Sequence, residues 1–155
     1  MLRIPVTSIL RAARTVVVGL LAAPLLLLTG AEGAAAAGSA TPCVAAARAC
    51  VDLSSQQAWL THHGNVTYGP VRVASGRTSA PTDVGTFQVF LKDRDHRSSL
   101  FDGAPMPYSV FYNGDEAFHQ GSLGSRSHGC VRLARSAAQT FYNTLQVGDT
   151  VQIVR

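Results

Sequence analysis

The sequence predicts a mostly-β domain with one short helix near its carboxyl end. Short runs of β-branched and aromatic residues recur through the body of the chain, separated by Gly, Pro and Asn turn signals. Only Ser136 to Leu145 shows helical spacing, and a β-branched run, Thr150 to Val154, closes the chain. Together these describe a mostly-β domain with a small helical addition.

The first 40 of the 155 residues are set apart from that domain. Arg3, Arg11 and Arg14 precede 17 uncharged residues, Thr15 to Ala31, and a small-residue tract, Ala34 to Ala40, follows. A basic start, an apolar middle and Ala-x-Ala options describe a secretory signal peptide over residues 1–40. An uncleaved anchor is the rival, but the stretch is shorter than the roughly 20 apolar residues a spanning helix needs, and Pro24 interrupts it. Either way the domain at 41–155 is expected outside the cytoplasm. Without Arg3, Arg11, Arg14 and Glu32 the formal charge falls from +4 to about +2. The remaining basic residues are scattered singly, which argues against a nucleic-acid partner.

Taken in order, Ala58 to Thr61 reads as a strand and His62-His63-Gly64-Asn65 as its turn, with both histidines solvated. Val66 to Tyr68 and Val71 to Val73 continue the β pattern, punctuated by Gly69-Pro70. Gly76 to Asp83 reads as loop, Gly85 to Leu91 as a strand, and the polar run Lys92 to Ser99 as a long loop. Tyr108 to Tyr112 is a strand that turns at Asn113-Gly114-Asp115, and Glu116 to His119 pairs back. In the helix, Ala137, Phe141 and Leu145 recur every four residues, and Ser136 is the candidate cap.

Three cysteines are an odd number for an exported chain. Cys43 and Cys50, seven positions apart, are expected to oxidise to a disulfide that ties down the start of the domain. Zinc is the rival, but this spacing with no second pair is a poor ligand set. Cys130 is left over, and a lone thiol in an oxidising compartment is a liability unless used or buried.

The segment around that thiol holds the densest chemistry. His119 lies 11 residues upstream of Cys130, and Gly121, Gly124 and Gly129 let the intervening backbone approach a ligand closely. A thiol attacks as thiolate, so an imidazole beside it is expected to lower its pKa from about 8.5. Consecutive N–H groups around His128-Gly129-Cys130 can face a developing oxyanion. Nucleophile, base and oxyanion donors make the minimal acyl-transfer set. A metal site from His119, His128 and Cys130 lacks a second ligand cluster and any HExxH-like helix. No metal and no organic cofactor is therefore expected.

Ser127-His128-Gly129-Cys130-Val131-Arg132-Leu133, with His119 upstream, resembles the signature of the L,D-transpeptidase catalytic domain (YkuD-type) family. Gln57-Ala58-Trp59-Leu60, Gly85-Thr86-Phe87 and Pro105-Met106-Pro107-Tyr108 are similar to further segments of that family, so the likeness covers about residue 50 to the end. The resemblance implies an L,D-transpeptidase-like β-sandwich or barrel with Cys130 as nucleophile. It implies His119 as base, oriented by the carbonyl of Gln120, and Ser127, His128, Gly129 and Arg132 about the oxyanion site and cleft. It also implies that Met106 and Tyr108 line the donor-peptide groove. In two places the chain departs from the family: the His-to-Cys spacing is short, implying a trimmed loop over the site, and Arg132 stands where some members carry Asn. Papain-like and amidase-type cysteine enzymes place Cys before His, and sortases separate the two much further.

The implied activity is a secreted, stand-alone, monomeric peptidoglycan L,D-transpeptidase. It would form 3→3 cross-links through a cysteine thioester, release terminal D-alanine and be acylated by carbapenems. Its partners would be peptidoglycan stem peptides, with no nucleic acid and no stable membrane contact once the leader is removed. An L,D-carboxypeptidase and a non-catalytic wall-binding module are the alternatives.

Overall fold

The computed structural model describes residues 41–155; the leader expected over residues 1–40 lies outside them. Within the described residues nine strands form one sheet, and a single ten-residue helix packs on it. One of its inner strands carries no signal in the sequence pattern. β1 (Ala49–Asp52) is only four residues long and opens on Ala-Cys, yet its first three residues are fully buried. It pairs antiparallel with β2 (Gln57–His62) and parallel with β9 (Thr150–Val154). Cys50 on β1 is bonded to Cys43, as expected. Cys43→Ala should therefore lower unfolding free energy by about 2–3 kcal/mol, the loop-closure value for so short a loop. The midpoint of urea unfolding measures it.

β2 turns at His63-Gly64, where both residues have positive φ (49° and 79°), the mirror-image geometry that suits a two-residue hairpin. His62 and His63 are exposed there, as expected. β3 (Asn65–Ala74) then runs unbroken through Gly69-Pro70, so the two expected strands are one. Gly69 makes this possible: a Cβ there would lie 2.7 Å from the Ala58 carbonyl oxygen, on backbone at φ +104°. The sheet order is β4-β9-β1-β2-β3-β8-β7-β6-β5, with β8 (Val131–Leu133), β7 (Glu116–Gln120) and β6 (Pro105–Asn113) beyond β3. All neighbours are antiparallel except β1 with β9 and β7 with β8.

Two expected boundaries move. The strand read over Gly85 to Leu91 stops early: β4 (Gly85–Gln88) is one edge of the sheet, and the chain crosses at Val89-Phe90 to the other edge, β5 (Leu91–Arg97). There Val89 N–H donates to Asp149 O (2.9 Å) and Phe90 N–H to Phe111 O (3.0 Å). This draws the two halves of the sheet together, with the Phe87 ring 5.8 Å from Tyr112, and gives the curl the fold class predicts. β5 itself occupies most of the run expected to be loop. Its residues are polar because an edge strand faces water and charge there blunts edge-to-edge pairing.

α1 (Arg135–Thr144) is the expected helix, but its N-cap is Ala134 and no side chain caps it, so Ser136 does not serve. Phe141 and Leu145 are fully buried, and the Phe141 ring lies 5.1 Å from Phe118 on β7 and 6.3 Å from Tyr68 on β3. Burying each such side chain stabilises by about 1.5–3 kcal/mol. The helix therefore fixes β6, β7 and β8 as one rigid platform. Among the described residues no helix is long and apolar enough to cross a membrane.

Candidate active site

The parallel ladder of β7 and β8 decides where the reactive groups meet. Phe118 is opposite Val131 and His119 opposite Arg132, and the first pair is fully buried beneath the sheet. Side chains alternate across a strand, so His119 and Arg132 share the opposite face, while Cys130 lies one residue before β8. His119 and Cys130 line one cleft of about 400 Å³ with His96, Phe101, Met106, Glu116, His128 and Arg132. Cys130 is the free thiol among the described residues and is partly exposed.

His119 Nδ1 donates to the Gln120 carbonyl at 2.8 Å, the orientation the sequence resemblance implied. The ring's other nitrogen, Nε2, is then the acceptor in the neutral imidazole. Burial holds the His119 pKa below its ordinary value, helped by the charges of Arg132 and His96 and opposed by the Gln120 bond. The thiol departs from expectation. Burial pushes the Cys130 pKa up, and the carboxylates of Glu116 and Asp115 add to it, while Ala117 N–H and Arg132 oppose. The resting pair is therefore neutral thiol and neutral imidazole, with the thiol directed at Asp115 O (3.5 Å). An imidazole on the neighbouring strand does not by itself lower a thiol pKa, because at neutral pH this imidazole carries no charge.

The turn before Cys130 is held from several directions. Ser127 Oγ donates to the Cys130 carbonyl and accepts from Gly129 N–H at 3.2 Å. Gly129 N–H is thus already engaged, so the run of three free donors expected at His128-Gly129-Cys130 is reduced. Gly129 instead supplies shape, at φ +123° with a would-be Cβ 3.3 Å from Glu116 Oε1. Thr82 Oγ1 donates to the Gly129 carbonyl and accepts from Gly76 N–H at 2.8 Å. Any Cβ on Gly76 would run into the Ala80 carbonyl and Thr82 nitrogen, so this glycine keeps the prop in place. Glu116, half-buried with its pKa raised chiefly by burial, takes Asp83 N–H at 2.9 Å.

Met106 lines the cleft as expected; Tyr108 does not. Tyr108 has φ +60°, which interrupts the alternation of β6 and turns its ring to the helix side. It packs 6.0 Å from the Tyr142 ring, and its hydroxyl accepts from Gln139 Nε2 at 2.8 Å. His128 is exposed, and its ring lies 4.6 Å from Phe101, at the tip of the β5–β6 hairpin. That hairpin, not the short loop between His119 and Cys130, roofs the cleft. Arg132 ties the short loop down: its stem covers Gly121, and Nη2 donates to the Ser125 carbonyl.

His96, Phe101, Thr82 and Glu116 carry no motif, and only the folded chain brings them to the site. His96 sits in the run read as loop; its Nδ1 meets Asp93 Oδ2 at 3.0 Å and its ring packs 4.8 Å from Phe111.

The profile of the YkuD family, the L,D-transpeptidase catalytic domain, matches residues 46–153. Among solved structures the chain is similar to an L,D-transpeptidase from Stackebrandtia nassauensis, with 31% identity and a TM-score of 0.66 over 69% of this chain and 54% of that one. An L,D-transpeptidase from Mycobacterium tuberculosis aligns with 23% identity and a TM-score of 0.65 over 71% of this chain and 58% of that one. L,D-transpeptidase 3 from the same organism, in complex with a faropenem-derived adduct, aligns with 22% identity and a TM-score of 0.63 over 71% and 60%. The last two likenesses are of fold. The chain spans little more than half the length of these structures. No curated protein matches it. A profile match across nearly all the described residues, on a fold these enzymes share, settles the affiliation: the chain belongs to the YkuD L,D-transpeptidase catalytic domain family.

Proposed function

We propose that this domain is a cysteine-dependent peptidoglycan L,D-transpeptidase that forms 3→3 cross-links. The observation that carries the reading is His119 on β7 and Cys130 immediately before β8, lining one cleft, with His119 Nδ1 engaged so that Nε2 is the accepting nitrogen. Cys130 Sγ attacks the carbonyl of the third residue, a diamino acid, of a tetrapeptide stem as its proton passes to His119 Nε2. The oxyanion is held by backbone N–H groups at His128 and Cys130, since Gly129 N–H serves Ser127. Collapse breaks the bond to the terminal D-alanine, whose leaving nitrogen takes the proton from His119, and a thioester remains. The amine of a second stem then attacks the thioester, His119 accepts its proton, and the thiol is released as the new amide forms. Met106, Phe101 and the exposed His128 ring line the path of the donor stem.

The same reading has the domain exported by the segment at 1–40, working as a monomer on stem peptides outside the cytoplasm, without a metal, an organic cofactor or a nucleic-acid partner. A faropenem-derived adduct on a structural neighbour supports β-lactam acylation as a probe. Intact mass spectrometry after incubation with a carbapenem should show one covalent adduct on the wild type and none on Cys130→Ala. An unmodified wild type, or equal adducts on both, removes Cys130 as the nucleophile. Muropeptide products separate the outcomes: dimers support cross-linking, tripeptides alone mean an L,D-carboxypeptidase, and wall binding without turnover means a binding module.

A further inference from the structure

Behind the loop that walls the cleft lies a second, polar cavity of about 210 Å³. Its lining includes Gln56, Arg72 and Arg126, and no acidic residue contributes to it. Leu123 to Arg126, from the segment between His119 and Cys130, form one side. One loop therefore separates the two cavities: Gly121, Ser122 and Ser127 face the cleft, and the residues between them face this cavity.

The cavity is built, not incidental. Arg126 Nη1 donates to Ser75 Oγ at 2.7 Å, and Gln56 Nε2 donates to the same oxygen at 2.9 Å. Gln56 Oε1 accepts from Ser75 N–H at 3.1 Å, and Gln56 O from Val73 N–H at 2.9 Å. These bonds hold Gln56 at φ 54°, a left-handed conformation unusual for a residue with a Cβ. Arg72 projects from β3, opposite Gln57. The ion pairs among the described residues are Arg48 with Asp149 and His96 with Asp93, so both cavity guanidiniums lack a carboxylate partner. Arg72 and Arg126 are both exposed at this recess, and Arg126 keeps Nε and Nη2 beside its Ser75 bond, so each offers a carboxylate a planar pair of N–H groups.

We propose that this recess is a carboxylate subsite for the acceptor stem: Arg72 and Arg126 hold a free carboxylate of the acceptor peptide while its amine reaches over the loop to the thioester at Cys130. The inference rests on the transpeptidase reading of the cleft. A recess of this size suits one carboxylate on a short peptide better than a run of phosphates on a polymer. Ser75 relays occupancy to the reactive turn, because its carbonyl accepts Ser127 N–H at 2.9 Å and Ser127 spans Cys130.

The test is a titration of the Cys130→Ala protein with a stem tripeptide that carries its carboxylates, followed by the side-chain Nε–H resonances of arginine. Both Arg72 and Arg126 signals should shift, and Arg72→Gln in the same background should weaken binding about tenfold, the loss of one charge-assisted contact. Arg72→Lys should recover part of it, and a fully amidated tripeptide should bind the parent protein more weakly than the free peptide binds Arg72→Gln, because it loses both guanidinium contacts. Unmoved arginine signals, equal affinity for the amidated peptide, or shifts produced only by a poly(glycerol phosphate) chain overturn the acceptor subsite. Binding to the Cys130→Ala protein does not depend on turnover, so failure of the transpeptidase reading, a wild type that takes no carbapenem, is seen separately.

Discussion

His119→Gln should slow carbapenem acylation by about 10²–10⁴-fold, the range for losing a positioned general base, while leaving thermal unfolding nearly unchanged. Stopped-flow acylation and a melting curve measure the two effects. The side chain is buried but makes a single hydrogen bond, to the Gln120 carbonyl, and glutamine can donate to that oxygen. The pH profile carries the sign. Since the His119 pKa is depressed, its neutral, accepting form is present at pH 7 and is lost only as pH falls below the ordinary histidine range. Since the Cys130 pKa is raised, the thiolate accumulates only above the ordinary thiol range. Wild-type acylation should therefore hold a broad plateau from near neutrality into mild alkali and fall on the acid side. In His119→Gln the plateau should vanish and the rate should climb with pH as the thiolate forms unaided. A wild type that works best below pH 6, as a pre-formed thiolate–imidazolium pair would, contradicts this account.

Phe141→Ala should have the complementary effect, a loss of stability with the chemistry kept. Phe141 is fully buried between Phe118 and Tyr68, and its truncation leaves a cavity under β7 and β8. The cost should be about 3–5 kcal/mol, a large share of the 5–15 kcal/mol typical of a whole domain. For a domain of this size that lowers Tm by more than about 10 °C. At low temperature, acylation per folded molecule should stay within a few fold of wild type. Urea unfolding alongside a carbapenem titration of active sites separates the two quantities. If acylation per folded molecule falls as far as in His119→Gln, the helix is shaping the cleft beyond supporting the strands.

The reactive core was legible because it is local in sequence. His119, Gln120 and Ser127 to Cys130 fall within a dozen residues, and the parallel pairing of β7 with β8 is all that is needed to bring them together. What the sequence hid was carried by non-local or backbone facts. Thr82 reaches the Gly129 carbonyl from 47 positions away. Tyr108 reads as a groove residue until its left-handed φ turns it to the helix. Lys92 to Arg97 have the composition of a loop because they form an edge strand, whose outward side chains answer to water and not to a core. β1 is hidden for the opposite reason: four small or mixed residues carry no β signal, and their strand is imposed by the two neighbours that enclose it. The sequence shows the partner imidazole, but neither the depth of burial nor the closeness of Asp115 and Glu116 that raise the thiol pKa.

The parallel course of β7 and β8 limits how this chain can be altered. Strands that run the same way need a crossover, usually of a dozen or more residues. Here only Gly121 to Cys130 make it, with no helix inside. The same ten residues return the chain to the start of the next strand and deliver the sulfur beside the ring. Trimming that span would break the β7–β8 ladder and part Cys130 from His119 together, and added residues near Ser122 to Ser125 would disturb the wall that this segment makes between the two cavities. The length of this crossover is therefore constrained in both directions.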